Sequence, residues 1–532
     1  MKPRLRTAAV TTLLFVPIVA GGFLLQEPPA HANARLFDQV LSLVANRYVD
    51  TLPASDIYAK AATGLVQQLR DPYSQLFTPK GSDDFSRGTG GRYGGTGMLL
   101  GEDNGNTFVQ QVFPHTPAEE AGVLEGDRIV AIDGKNVVGT SSVDIATKLR
   151  GDVGTKVEVT YQRRGVNQPI KISFVRREVH IPAVQYATIL DGSVGYIPIQ
   201  TFNENVVEEV NEAIKKLSAQ GAKGYVIDLR GNGGGIVEQA LELSSMFLRD
   251  SQEIVAVHYR GQPDEVEHAG HQHVVVGVPL VVMTDGGTAS ASEIVAGALQ
   301  DHDRALVVGT TSFGKGLVQS VYSLDGGYAL KLTTGKWFTP SGRSIHRDRK
   351  LNDAGQLVEV KPDSMETDSE RLARPKFKSD DGRVVYGGGG ITPDVVVRED
   401  TLTTLEQNFF RSVGPSAGVI AQELDKYSRI LKDSLKTPTM TLEPRWKQHL
   451  MDRLKAQKVE IDPKYATVAD SILGEQLAFR TVSEAFGDGE AKQLTLGEDR
   501  QLTTAIDLLK KAASQKQLFA VATATAAAKP GK

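Results

Sequence analysis

A serine at position 290 and a lysine at position 315 stand 25 positions apart, in Gly286-Gly-Thr-Ala-Ser290-Ala-Ser-Glu293 and Ser312-Phe-Gly-Lys315-Gly-Leu-Val-Gln319. A hydroxyl is inert at neutral pH unless a neighbour takes its proton, and a lysine can do so where burial keeps its amine neutral. The chemistry would be acyl transfer without a histidine. Ser290-x-x-Glu293 also fits a capping box, with Ser290 at the start of a helix and Glu293 reaching back to its amide. Ser292 is an equal candidate for the polar residue of the site. Lys315 lies between two glycines that permit close backbone approach, and Gln319, one helical turn onward, could orient its amine.

Two glycine runs would assist such a pair. Asp228-Leu-Arg230-Gly-Asn-Gly-Gly-Gly235 follows an apolar strand and precedes a helix, so the amides of Gly233 or Gly234 could face a developing negative charge. The run is neither G-x-G-x-x-G nor a Walker loop, which argues against nucleotide binding. In Tyr93-Gly-Gly95-Thr96-Gly97-Met98-Leu99 a glycine turn enters a strand, a geometry suited to a terminal carboxylate and to a peptide added as an extra strand. His268-x-x-His271-x-His273, near Glu265 and Glu267, reads as a solvated loop between strands, and neither a metal nor a cofactor is expected. The tetrad Gly387–Gly390 reads as a turn.

The elements that would hold these residues fall into five segments. Residues 1–34 place Lys2, Arg4 and Arg6 before an 18-residue apolar stretch, Ala8 to Leu25, and Ala30-His-Ala32-Asn-Ala34. This is the layout of a secretory signal, cleaved or retained as an anchor, and predicts an exported, periplasmic protein. Residues 35–86 carry helical periodicity from Leu36 to Leu76, stopped by Asp71-Pro. Residues 87–178 open on a glycine-rich connector, Arg87 to Tyr93. They continue as alternating strands at 107–113, 128–133, 156–161 and 170–174, with a helix at 143–149. In residues 179–400 continuously apolar strands alternate with helices at about 206–217, 237–248 and 290–299, which predicts an α/β sheet covered on both faces. Residues 401–532 show helical periodicity at 402–435 and 482–514, and the stretch from Ala520 to Lys532 is expected to be disordered.

Composition narrows the function. The 532 residues exceed one hydrophobic core, and 60 basic against 64 acidic side chains, with no long basic stripe, argue against nucleic acid. The chain has no cysteine, which removes disulfides, thiolate catalysis and cysteine-ligated zinc.

Together the motifs resemble the carboxyl-terminal processing peptidases, tail-specific serine proteases of family S41 with an embedded PDZ domain. Ala289-Ser290-Ala-Ser-Glu-Ile294 with Phe313-Gly-Lys315-Gly-x-Val-Gln319, and Leu229-Arg-Gly-Asn-Gly-Gly, carry the resemblance. Gly195-Tyr-Ile, Tyr48-Val-Asp50, Asp71-Pro-Tyr-Ser74, Thr339-Pro-Ser-Gly-Arg-Ser-Ile345 and Ile391-x-Pro-Asp394 support it, over residues 36 to 398. It implies a crotonase-like α/β protease core with an inserted PDZ domain between helical segments. Ser290 would be the nucleophile, a choice over Ser292 fixed by the family's spacing, Lys315 the general base and Gln319 the residue that positions it. Ala291, with Gly233 or Gly234, would form the oxyanion hole. Gly95, Thr96, Gly97, Met98 and Leu99 would hold the free C-terminus of an exported protein substrate. An adaptor and a homo-oligomer are further partners the resemblance admits. Thr288 stands where many members have serine, and Thr96 where an apolar residue is common. A PDZ scaffold without catalysis would not need the dyad, and an acyl-transferring crotonase relative would lack the PDZ module.

Overall fold

The computed structural model describes residues 29–527 except 83–84, 86–91, 104–105, 114, 164–165, 271–276, 352–356, 359–366 and 399–401. The apolar stretch 8–25, most of the connector at 87–93 and the imidazoles of His271 and His273 lie outside the described residues. No described helix is long and apolar enough to cross a membrane.

The chain divides into two units. The first contains helices Pro29–Arg47 and Ala54–Gln68 and a strand, Gln75–Phe77, paired antiparallel with residues 329–331. The first helix runs across the boundary expected at 34. Asp71 closes the turn before the strand by accepting from the Tyr73 N–H (3.0 Å) and the Ser74 hydroxyl (2.5 Å).

The second unit contains Ser290, Lys315, Gln319 and both glycine runs. Its first module is a sheet ordered Met98–Asp103, Asn106–Val112, Arg128–Ile132, Lys156–Gln162, Ile170–Val175, within a residue or two of the alternation read from sequence. The helix Ser142–Leu149 is capped by the Ser141 hydroxyl, which accepts from Asp144 N–H at 3.1 Å. It buries Ile145 and Leu149 against Val109, Ile129, Val159 and Tyr161. An antiparallel ribbon, Arg92–Gly95 with Arg177–His180, carries the chain into and out of the module.

The second module is a six-stranded sheet ordered Thr188–Leu190, Val194–Pro198, Gly224–Asp228, Leu280–Thr284, Leu306–Gly309, Val395–Val396, parallel except for its first pair. Side chains alternate across a strand, so Ile197, Tyr225, Ile227, Leu280, Val282 and Val307 face helices Val206–Ala219, Val237–Ser245 and Ala291–Asp301. Tyr196, Val226, Val281, Met283, Leu306 and Val308 face the other way. That second face is covered by helices Arg500–Lys510 and Gln515–Ala527 through Leu502, Ile506, Leu509 and Leu518.

The partition at 401 therefore needs correction. Residues 404–486 form a helical cluster of their own around Phe409, Leu424, Trp446, Leu450 and Leu477. Residues 500–527 instead complete the core of the α/β sheet. The stretch from Ala520 to Ala527, expected to be disordered, is helical because Ala522 and its neighbours bury apolar surface on that sheet. Helices Pro444–Ala456 and Ala466–Phe486 were not legible as periodic segments. The histidine stretch also differs: Glu265–His268 is an exposed strand paired with residues 253–257.

Candidate active site

Ser290 ends a tight turn between the buried strand Leu280–Thr284 and the helix Ala291–Asp301. Asp285 builds the turn: one of its carboxylate oxygens accepts the N–H groups of Gly287 (2.9 Å) and Thr288 (3.0 Å), and that of Gly231 (2.9 Å) from the neighbouring loop. Ser290 itself sits at φ +58°, ψ −118°. For a residue with a Cβ this is a strained conformation of about 1–3 kcal/mol, kept only where the surroundings over-determine it, as at many reactive sites. The capping box forms, with the Glu293 carboxylate accepting from Ser290 N–H at 2.8 Å. The Glu293 N–H also has the Ser290 carbonyl oxygen at 2.8 Å, so the cap does not depend on the hydroxyl. Ser292 is fully buried and its hydroxyl donates to the Asn232 carbonyl (3.0 Å), which leaves half-buried Ser290 as the serine open to chemistry.

The Glu293 carboxylate does more than cap. One oxygen accepts the backbone N–H groups of both Ser290 and Lys315, each at 2.8 Å. The other accepts the Ser312 hydroxyl (2.5 Å) and the Gly314 N–H (2.6 Å). A single buried side chain thus ties Ser290 to the lysine loop. Burial pushes the Glu293 carboxyl above the ordinary glutamate range, an effect the four donated hydrogen bonds only partly offset.

The lysine loop is clamped from its other side. Trp337 donates its indole N–H to the Lys315 carbonyl and its backbone N–H to that of Gly316, both at 3.1 Å. A Cβ on Gly316 would stand 2.9 Å from the His346 nitrogen. Gly390 packs so closely that a Cβ there would lie 2.3 Å from the Ser312 carbonyl oxygen, so this last glycine of the tetrad lets the chain lie against the lysine loop. Gln319 lies on the strand Leu317–Ser323 rather than one helical turn beyond Lys315, and its side-chain nitrogen is buried with no partner among the described residues.

The loop 229–236 lies directly against Ser290. A Cβ on Gly234 would meet the Ala289 carbonyl oxygen at 2.7 Å, and Ala291 N and Ser290 Cβ at 2.9 Å each. The Gly234 N–H is already donated to the Asn232 side-chain oxygen (2.9 Å), whereas those of Gly233 and Ala291 make no hydrogen bond among the described residues. At the far end of the Ser290 helix, Arg343 is fully buried and bound to Asp301 and Gln300 at 2.7 Å each.

The profile of peptidase family S41 matches residues 193–363, and that of the PDZ domain matches residues 108–163. A carboxy-terminal-processing protease of Bartonella bacilliformis is 38% identical over 324 residues, spanning 60% of this chain and 74% of the relative. The carboxy-terminal processing protease CtpA of Bacillus subtilis is 33% identical over 344 residues, 64% of this chain and 73% of the relative. The chain belongs to peptidase family S41. A solved photosystem II D1 C-terminal processing protease shares 31% identity at a TM-score of 0.35, covering 57% of this chain and 82% of that one.

In this S41 peptidase, a serine-type enzyme with a PDZ domain, the turn Gly95–Gly97 leads into the edge strand Met98–Asp103. Gly97 has φ +89°, and a Cβ there would fall within 2.2 Å of Thr116. Thr96 is buried, and its carbonyl accepts the Ala118 N–H at 2.8 Å. Met98 points into the core beneath Tyr161, while Leu99 on the opposite face is exposed. Beside the turn a cavity of about 250 Å³ is lined by Arg92, Tyr93, Gly94 and Arg150, with the Arg150 guanidinium 4.9 Å above the Tyr93 ring.

Sequence reasoning missed the bridging role of Glu293, the Asn232 side chain and the packing of Gly390 on the lysine loop. Only Glu293 left a signal, its place three residues after Ser290, and that signal read as a cap. Gly234 offers a direct check: Gly234→Ala places a methyl against backbone at φ +95°, and is expected to lower kcat about 10²-fold by displacing Ser290. Wild-type kcat in that variant would remove the loop from the site.

Proposed function

We propose that the chain is an exported endopeptidase that processes proteins from their C-termini with a Ser290–Lys315 dyad. Lys315, as the neutral amine, takes the proton of the Ser290 hydroxyl while Oγ attacks a peptide carbonyl. The tetrahedral oxyanion is met by the amides of Ala291 and Gly233, Gly234 being engaged by Asn232. The proton then passes to the leaving amine, and water releases the acyl group from Ser290. Gln319 keeps the lysine oriented. The turn and edge strand from Gly95 to Leu99 hold an apolar substrate tail as an added strand, with its carboxylate at the free amides of the turn. The basic and apolar segments before residue 35 argue for export to the periplasm, soluble or anchored. An adaptor and self-assembly remain part of the reading as partners.

The observation that carries this function is the Glu293 oxygen shared by the amides of Ser290 and Lys315. Treatment with a fluorophosphonate, which phosphonylates activated serines with loss of fluoride, is expected to modify one residue, located by peptide mass spectrometry at Ser290. Lys315→Ala should abolish the labelling. A label on Ser292, or labelling that survives loss of the lysine, would sink the assignment.

A further inference from the structure

The loop 231–235 contains four glycines, so few side chains are available to hold it against Ser290. Gly231 is tied to Asp285, and Asn232 donates to the Ile199 carbonyl (2.8 Å). The Asn232 carbonyl is bound by the Ala289 N–H and the Ser292 hydroxyl, and Gly234 is tied to Phe202. At the entry of the loop the anchor is Arg230, two residues past the buried strand Gly224–Asp228 and next to the first glycine. Its guanidinium is shared between two carboxylates. Asp228 takes the ε nitrogen (3.0 and 3.1 Å) and one terminal nitrogen (2.7 Å). Asp499, 269 positions later, takes both terminal nitrogens at 2.9 and 3.1 Å. Gln501 adds a bond of 2.9 Å from its side-chain oxygen, and its nitrogen reaches the Val397 carbonyl (2.8 Å).

We infer that Asp499 and Gln501, from the C-terminal helical segment, are positioning residues for the catalytic glycine loop and act through Arg230. The inference rests on the reading of Ser290 and the loop given above. Three observations carry it. The side chains of Arg230, Asp228 and Asp499 are 19%, 6% and 14% exposed, so the pairs are only weakly screened. The bonds are bidentate, the geometry in which an arginine is fixed in direction as well as in place. Asp499 is itself immobilised: it accepts from Leu502 N–H (3.0 Å) at the start of the helix Arg500–Lys510 and from Lys492 (2.7 Å). Burial opposes its charge, but Arg230 and Lys492 together hold its carboxyl well below the usual range. The helix that covers the back of the sheet therefore also sets the direction in which the chain leaves the strand toward Gly231.

Asp499→Asn separates positioning from capping, because asparagine caps a helix as well as aspartate does, while the charge that faces Arg230 and Lys492 is lost. Lys510→Ala is the control, removing a 2.6 Å pair to Asp191 from the same helix without touching the loop. In the full chain, Asp499→Asn should lower kcat about tenfold with KM essentially unchanged, and should raise deuterium uptake in peptides spanning residues 229–236. Lys510→Ala should do neither. Gln501→Leu, which keeps the charge pair, should shift both readouts in the same direction but less. Wild-type loop exchange in Asp499→Asn, or equal changes in Asp499→Asn and Lys510→Ala, overturns the inference. If the unaltered chain cleaves nothing, the proteolytic reading falls, and loop exchange in Asp499→Asn still decides whether the clamp exists.

Discussion

Ser290→Ala and Lys315→Ala are each expected to lower kcat against an unstructured polypeptide with an apolar C-terminus by about 10⁴- to 10⁶-fold, and the double variant no further. Nucleophile and base act as one unit: without the hydroxyl there is nothing to deprotonate, and without the amine the hydroxyl stays an alcohol. Substrate affinity should survive, because the turn at Gly95–Gly97 proposed to hold the tail leads into a sheet separate from the one that carries Ser290. Lys315→Arg should be as inactive as the alanine variant, since a guanidinium keeps its charge and cannot accept the proton. Single-turnover cleavage and tail binding by anisotropy check both halves. Additive losses in the double variant would mean that the two residues do not cooperate.

Glu293→Gln should be inactive at every pH and less stable by about 2–6 kcal/mol. Each carboxylate oxygen accepts two donors, so a glutamine must turn its NH₂ toward one of those pairs and orphan two buried donor groups. Protonating the native acid loosens the tie between Ser290 and Lys315, because a carboxylic OH cannot accept from two amides, so activity falls even though burial favours the neutral acid over the charged one. The Glu293 carboxyl lies above its unfolded value, so between the two values the folded chain holds more proton than the unfolded one. Stability from this group is then fully present below the unfolded value, about 4.3, and is lost as pH rises through the folded one. Activity moves the other way, with an acid limb placed above the ordinary glutamate range. Urea unfolding and a pH–rate profile of kcat/KM measure the two effects. A glutamine variant that stays active and stable would show that Glu293 is only a cap.

Much of the scaffold was legible because its signals are local. Period-two alternation located the strands of the first module to within a residue or two, and unbroken apolar runs such as Gly224–Asp228 and Leu280–Thr284 announced a sheet buried on both faces. The candidate site was legible as residue types, with Ser290, Lys315 and the glycine run each visible in short motifs. Which elements covered the second face was not legible. Helix Arg500–Lys510 is amphipathic in the same way whether it packs on its own neighbours or on strands about 200 residues or more away in sequence.

The sequence by itself determined the serine, the lysine, their spacing and the glycines whose lack of side chains lets backbone approach backbone, since all of these depend on residue identity alone. Tertiary structure decided how they act together. It strained Ser290 to φ +58°, turned Ser292 into the interior, gave one Glu293 oxygen to two distant amides and passed the Gly234 N–H to Asn232. Those outcomes depend on which buried donors and acceptors are left to satisfy one another once the chain has closed, a condition no single segment contains.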